Sequence, residues 1–222
     1  TIGWGAFSSC THLVDLVIPG GVTNIGGMAF MGCSRLMNVT LPAGLATLGS
    51  SAFEDCASLA GIIIPGGVVN IDSHVFANCT NLSRVVLTEG VQTIDWLAFL
   101  NCTSLKRITI PESVASLDTW AFIECTNLTQ LCFSGNPPAV VPPSFSWGVA
   151  PTIYYRHGTT GWGTEFCGRP TAIWPEFGEP ALAEGRFAVP VHGGAGQSVA
   201  IEACADLNGG AWEIVASGTV PT

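Results

Sequence analysis

The 222-residue chain is predicted to fold as an α/β repeat solenoid. Stacked coils would share a parallel sheet on one face and short helical turns on the other, followed by a small β module. Two observations carry this. Three residue types recur with a period of 23: Phe7, Phe30, Phe53, Phe76, Phe99 and Phe122; Cys10, Cys33, Cys56, Cys79, Cys102 and Cys125; Leu13, Leu36, Leu59, Leu82, Leu105 and Leu128. Each period also holds one short apolar stretch of strand type, most often ended by proline. A fixed period of about 20–29 residues with apolar ladders marks a leucine-rich-repeat solenoid.

Within a coil, "LVDLVIP" (Leu13 to Pro19) places Leu16 and Ile18 two apart, and Pro19 ends the strand. Its equivalents are "NVTLP", "GIIIP", "RVVLT", "RITIP" and "QLCF". Next, "GGVTNIG" turns the chain, with Val22 and Ile25 pointing inward. Ala29, Phe30 and Cys33 then sit at spacings of one and three to four, which fits one short helical turn with an apolar inner face. No coil can bury that face alone, so neighbours must stack. The Cys column reads as buried, reduced thiols rather than disulfides, because in-register side chains point the same way.

The stretch "IGGMAFMGCSRLMNVTLPAGLATLG" resembles the BspA-like leucine-rich repeats, whose pattern is Ile-Gly, Ala-Phe, Cys, Leu and Ile-Pro at this spacing. The likeness covers residues 1 to about 135. Val75 stands for Ala, Thr88 for Pro, and Asp72, Asp95 and Asp118 for the Gly after the branched residue. The resemblance implies an extracellular or cell-surface protein, often bacterial, used in adhesion and protein binding. It implies no catalytic residue.

Beyond the repeats the pattern decays. Val140 and Phe145 keep the register, but Gly148 stands where Cys is due. "GNPPAVVPPSF" is stiff and extended, and "TIYYRHGTTGWGTEFCGRPTAIW" holds a last strand and Gly-rich turns. This second segment resembles the Tyr–Gly-Trp–Phe-x-Gly-Arg-Pro ending that often follows bacterial repeats of this kind. The expected division is a solenoid of six coils at 1–135, its C-terminal cap at 136–177 and a partial β module at 178–222. "EFGEPAL" is expected as a linker, and "RFAVPVHG", "QSVAIEACADL" and "AWEIVASG" as three strands. The strands resemble a module at the C-termini of some secreted bacterial proteins. The chain opens inside the repeated phrase and is expected to be an excerpt of a longer protein.

Composition bounds the function. Charged residues are 10% of the chain, and the formal charge is −9 with acidic residues scattered. A nucleic-acid partner would require a clustered basic footprint. No apolar run reaches the roughly 18 residues of a membrane helix, so no insertion is expected within this fragment. His12, His74, His157 and His192 are scattered, and Cys-x-x-Cys pairs, nucleophile elbows and phosphate loops do not occur. No enzyme activity, cofactor or metal is expected. Trp96 and Trp120 occupy free repeat positions, whereas Trp162, Trp174 and Trp212 are expected to pack in the cap and module.

A protein ligand, on a host or neighbouring-cell surface, is expected on the sheet face. With Leu16 and Ile18 inward, residues 15 and 17 point outward. One outward column reads Asp15, Asn38, Gly61, Arg84, Arg107, Gln130; the next reads Val17, Thr40, Ile63, Val86, Thr109, Cys132. The candidate site is Asp15, Asn38, Ile63, Arg84, Val86, Arg107, Thr109 and Gln130, with the two arginines receiving an acidic group beside an apolar surface. A structural spacer and an accessory region of a larger secreted enzyme stay open as alternatives.

Overall fold

The computed structural model describes residues 1–118, 120–141 and 151–174, together with six short strands between 176 and 219. Each coil contributes two strands. The odd-numbered ones form the expected ladder: β1 (Asp15–Val17), β3 (Asn38–Thr40), β5 (Gly61–Ile64), β7 (Arg84–Leu87), β9 (Arg107–Ile110) and β11 (Gln130–Phe133). The pairing is parallel within two neighbouring sheets, β1-β3-β5-β7 and one that holds β9 and β11, and partners lie one repeat apart: Asp15 faces Asn38, Ile63 faces Val86, and Thr109 faces Cys132. Alternate residues of these strands, such as Ile62, Ile64, Ile108 and Ile110, are buried.

The "GGVTNIG" stretch does more than turn. Its Asn24–Ile25 pair is β2, the first of an even-numbered ladder continued by β4 (Thr47–Leu48), β6 (Asn70–Ile71), β8 (Thr93–Ile94), β10 (Ser116–Asp118) and β12 (Ala139–Val141). It too is parallel, in two sheets, β2-β4 and β6-β8-β10-β12, and the decayed seventh coil keeps its place, with Leu117 facing Val140.

The expected helical turns are not there; among the described residues there is no helix. The segment around Phe30 is instead a chain of tight turns, and its N–H groups alternate between two destinations. Those of Ala29, Met31 and Cys33 reach back three residues, to Gly26, Met28 and Phe30. Those of Met28, Phe30 and Gly32 cross to Ser50, Ala52 and Glu54 of the next coil. A helix would direct its interior donors to carbonyls four residues back in the same segment. Left-handed residues at two positions of the coil prevent that: Met28 at φ 56° and Gly32 at φ 72°. The first position recurs at Gly5, Ser51, His74 and Leu97, the second at Ser9, Asp55, Asn78, Asn101 and Glu124. The spacing of one and three to four was that of a turn ladder, a third hydrogen-bonded side of the coil.

The core lies between these three sides. Adjacent Phe rings from Phe7 to Phe122 stack nearly parallel with centroids 5.2 to 5.9 Å apart. Phe30 through Phe122 are buried, with the Ile25–Leu48–Ile71–Ile94–Leu117 column beside them. Phe7, in the first coil, is 45% exposed.

After the sixth coil, β13 (Thr152–Tyr155) pairs in parallel with β11, and β15 (Arg169–Ile173) with β13. Between them β14 (Glu165–Phe166) folds back antiparallel on β15. Trp162 lies at the centre of an aromatic group: it stacks on Tyr155 at 5.2 Å and meets Phe133 and Phe166 at 5.1 Å each. Its indole N–H donates to the Gly135 carbonyl.

The stretch expected as a linker carries two strands, β16 (Glu176–Phe177) and β17 (Ala181–Ala183). The remaining strands are β18 (Arg186–Ala188), β19 (Val191–His192), β20 (Ser198–Ala203) and β21 (Glu213–Thr219). Pairing is antiparallel: β16 with β19, β17 with β18, and β20 with β21. Extended chain of this length satisfies its backbone by pairing wherever a partner strand is near. Phe145, Gly148, Cys204 and Trp212 lie outside the described residues.

Candidate functional site

The outward side of the odd ladder is set by strand alternation and by the in-register stack, so each predicted residue stands one strand from its equivalent. Asp15, Asn38, Arg84 and Arg107 are exposed, and Gln130 is half-buried. In the neighbouring column Val17 is 75% and Ile63 57% exposed, while Val86 and Thr109 are half-buried. Asn38 donates its side-chain amide to the Asp15 carboxylate at 2.6 Å, which ties the first two coils at the surface.

Two details differ from expectation. Cys132, outward by register, is buried at 1% exposure. Arg107 does not stand free beside Arg84. Its guanidinium carbon lies 4.4 Å from the ring centroid of Trp174. Burial pushes the Cys132 thiol up from its ordinary range, and Arg107 partly offsets this. Trp174 reaches the site because β15 extends the same sheet and the Trp174 N–H donates to the Tyr155 carbonyl. The outward stripe is exposed from β1 to β5, half-buried at β7 and β9, and buried at β11. Nothing in the repeat pattern could announce the Arg107 contact, since Trp174 belongs to no repeat column.

Gly61 makes a second feature that the column pattern understates. It lies between Asn38 on β3 and Arg84 on β7. A Cβ built there would meet only the Arg84 carbonyl, at 3.3 Å, and the Arg84 Cβ, at 3.5 Å. The side-chain column thus has a gap, with Arg84 on one side and Ile63 two residues along the strand.

The Cys column behaves as a structural element. All described cysteines are free thiols, and Cys33 through Cys125 are buried, but Cys10 is exposed. Each buried thiol donates to the carbonyl of the preceding coil's Phe: Cys33 to Phe7, Cys56 to Phe30, Cys79 to Phe53, Cys102 to Phe76 and Cys125 to Phe99, at 3.1 to 3.3 Å. Burial raises the Cys56, Cys79 and Cys102 thiols well above their ordinary range, and the adjacent thiols add to it.

The family model and one solved structure agree with this geometry. The BspA type leucine rich repeat region matches in six copies over residues 1–129, more than half of the chain. A leucine-rich repeat protein of T. pallidum is 35% identical, with a TM-score of 0.56 over 60% of this chain and 66% of that one. A leucine-rich repeat protein of Bacteroides ovatus is 21% identical, covering 70% of this chain and 52% of that one, with a TM-score of 0.44. A leucine rich cell surface protein of Faecalibacterium prausnitzii is 20% identical, covering 61% and 58%, with a TM-score of 0.30. The chain spans less than two thirds of each of these proteins. No curated protein matches. With six matched repeats and a coil built on its Phe, Cys and Leu ladders, the chain belongs to the BspA-type leucine-rich repeat family.

Proposed function

We propose that the chain is a non-enzymatic protein-binding and adhesion module of a secreted or cell-surface bacterial protein, and that its ligand docks on the open outward face of the odd ladder. The supporting observation is the exposed apolar stripe through Val17 and Ile63 beside the exposed Arg84. A rigid, in-register sheet holds these groups at fixed spacing, so little ordering entropy is lost on binding. In the same reading, 1–135 is the binding solenoid, 136–177 its cap and 178–222 an appended β module. Arg107 then serves the packing of Trp174, and Arg84 is the polar anchor.

The test begins with affinity capture from surface proteins of host or neighbouring cells, followed by titration of the purified partner. Ile63→Asp together with Arg84→Glu is expected to lower affinity at least tenfold with the melting temperature nearly unchanged, since both side chains are exposed. Unaltered affinity would move the site off this face. Failure to capture any partner would favour the spacer role, in which the repeats hold another domain at a distance.

A further inference from the structure

Arg84 and Arg107 occupy the same position in successive coils, at the starts of β7 and β9. Arg107 already has a partner on its guanidinium, the flat indole of Trp174 at 4.4 Å. Arg84 is exposed, and the position across from it is Gly61, which offers no side chain. Ile63, 57% exposed, and the half-buried Val86 lie two residues further along the same strands. The result is a shallow notch with a glycine floor, an apolar wall and one guanidinium.

We propose that this notch receives a planar aromatic side chain of the protein ligand, which lies over Gly61 against Ile63 and stacks on Arg84 as Trp174 stacks on Arg107. The proposal rests on the sheet-face reading above and names the ligand chemistry there. A ring fits better than a carboxylate for three reasons. A ring uses the apolar wall and the cation together, whereas a carboxylate uses only the cation. A residue with a side chain at position 61 would fill the space the ring requires. The chain's formal charge of −9, with Asp15 on the same face, works against an acidic ligand. The contact between Arg107 and Trp174 shows that an arginine at this position of the coil can sit over an aromatic ring.

The probe is N-acetyltryptophanamide, titrated to millimolar concentration into the isotope-labelled 222-residue chain and followed by amide and arginine side-chain NMR shifts. N-acetylleucinamide and N-acetylaspartamide serve as controls. The tryptophan probe is expected to shift Gly61, Ile63 and the Arg84 side-chain N–H more than either control. Arg84→Gln should weaken it about two- to fivefold, and Gly61→Val should abolish the Arg84 shift with the rest of the spectrum retained. An equal or larger response to the aspartate probe at Arg84 overturns the aromatic assignment and leaves the sheet-face reading standing. Shifts at Val17 and Ile63 that spare Gly61 and Arg84 do the same. No response at any of these residues also overturns it, while the partner titration with Ile63→Asp and Arg84→Glu decides the sheet face independently.

Discussion

The Cys56 thiol donates to the Phe30 carbonyl, 26 residues earlier, at 3.3 Å. That carbonyl also accepts from the Cys33 N–H of its own coil. One repeat plus one tight turn separates Phe30 from Cys56, so the contact joins two successive coils at their buried corner. Cysteine suits the position because it is small, apolar and still a weak donor.

Thiol labelling should distinguish the end of the stack from its interior. In native protein, Cys10 is expected to react rapidly and Cys33, Cys56, Cys79, Cys102 and Cys125 only after denaturation, following their exposure. Native labelling of the five at the rate of Cys10 would show that the coils open locally.

Stability should fall on the alkaline side. The folded-state pKa values of Cys56, Cys79 and Cys102 are raised by burial, so folding holds their protons more tightly than the unfolded chain does. Their contribution is complete below the unfolded thiol pKa of about 8.5 and declines as pH rises past it. Thermal melts with reductant from pH 7 to 10 should show a falling Tm above about pH 8.5. Cys79→Ala should flatten that slope, and an unchanged slope would place its origin in other groups.

Interior stacking should dominate the energetics. Phe76 is fully buried between Phe53 and Phe99, so Phe76→Ala is expected to cost about 3–5 kcal/mol by denaturant titration. Phe7→Ala, at the 45% exposed end, should cost clearly less. Equal losses would mean that the stack does not transmit burial as its geometry implies.

Gly66 marks a close approach between coils. A Cβ there would fall 1.9 Å from the Glu89 carbonyl oxygen, a backbone atom that cannot rotate away. Gly66→Ala is expected to destabilise by about 1–3 kcal/mol, whereas Gly20→Ala, with open space around it, should be near neutral. Chemical denaturation of the two variants makes the comparison.

The aromatic group at the end of the stack offers the test of the cap. Removing everything after Ser134 takes away Tyr155, Trp162 and Phe166, which pack on or beside Phe133. The truncated repeats are expected to aggregate or to lose cooperative unfolding. Trp162→Ala in the full chain should cost roughly 3 kcal/mol. A soluble truncation of equal stability would show that the sixth coil needs no cover.

The sequence alone determined the period, the stacking, the inward Phe, Cys, Leu and Ile columns, and the outward residues of the odd ladder. All of these follow from repetition: an in-register stack puts equal positions side by side whatever the coil's path. The tertiary structure alone decided what depends on that path. The spacing of Ala29, Phe30 and Cys33 suits a helical turn and a turn ladder equally. The choice was made by left-handed backbone at Met28 and Gly32 and by N–H groups that cross to the next coil. The strand at Asn24–Ile25 is two residues long, too short for a period to show, and exists because its neighbours pair with it. The contact of Arg107 with Trp174 came from outside the repeats. A contact between a ladder residue and an unrepeated one is set by where β15 runs, and no column of the sequence carries that information.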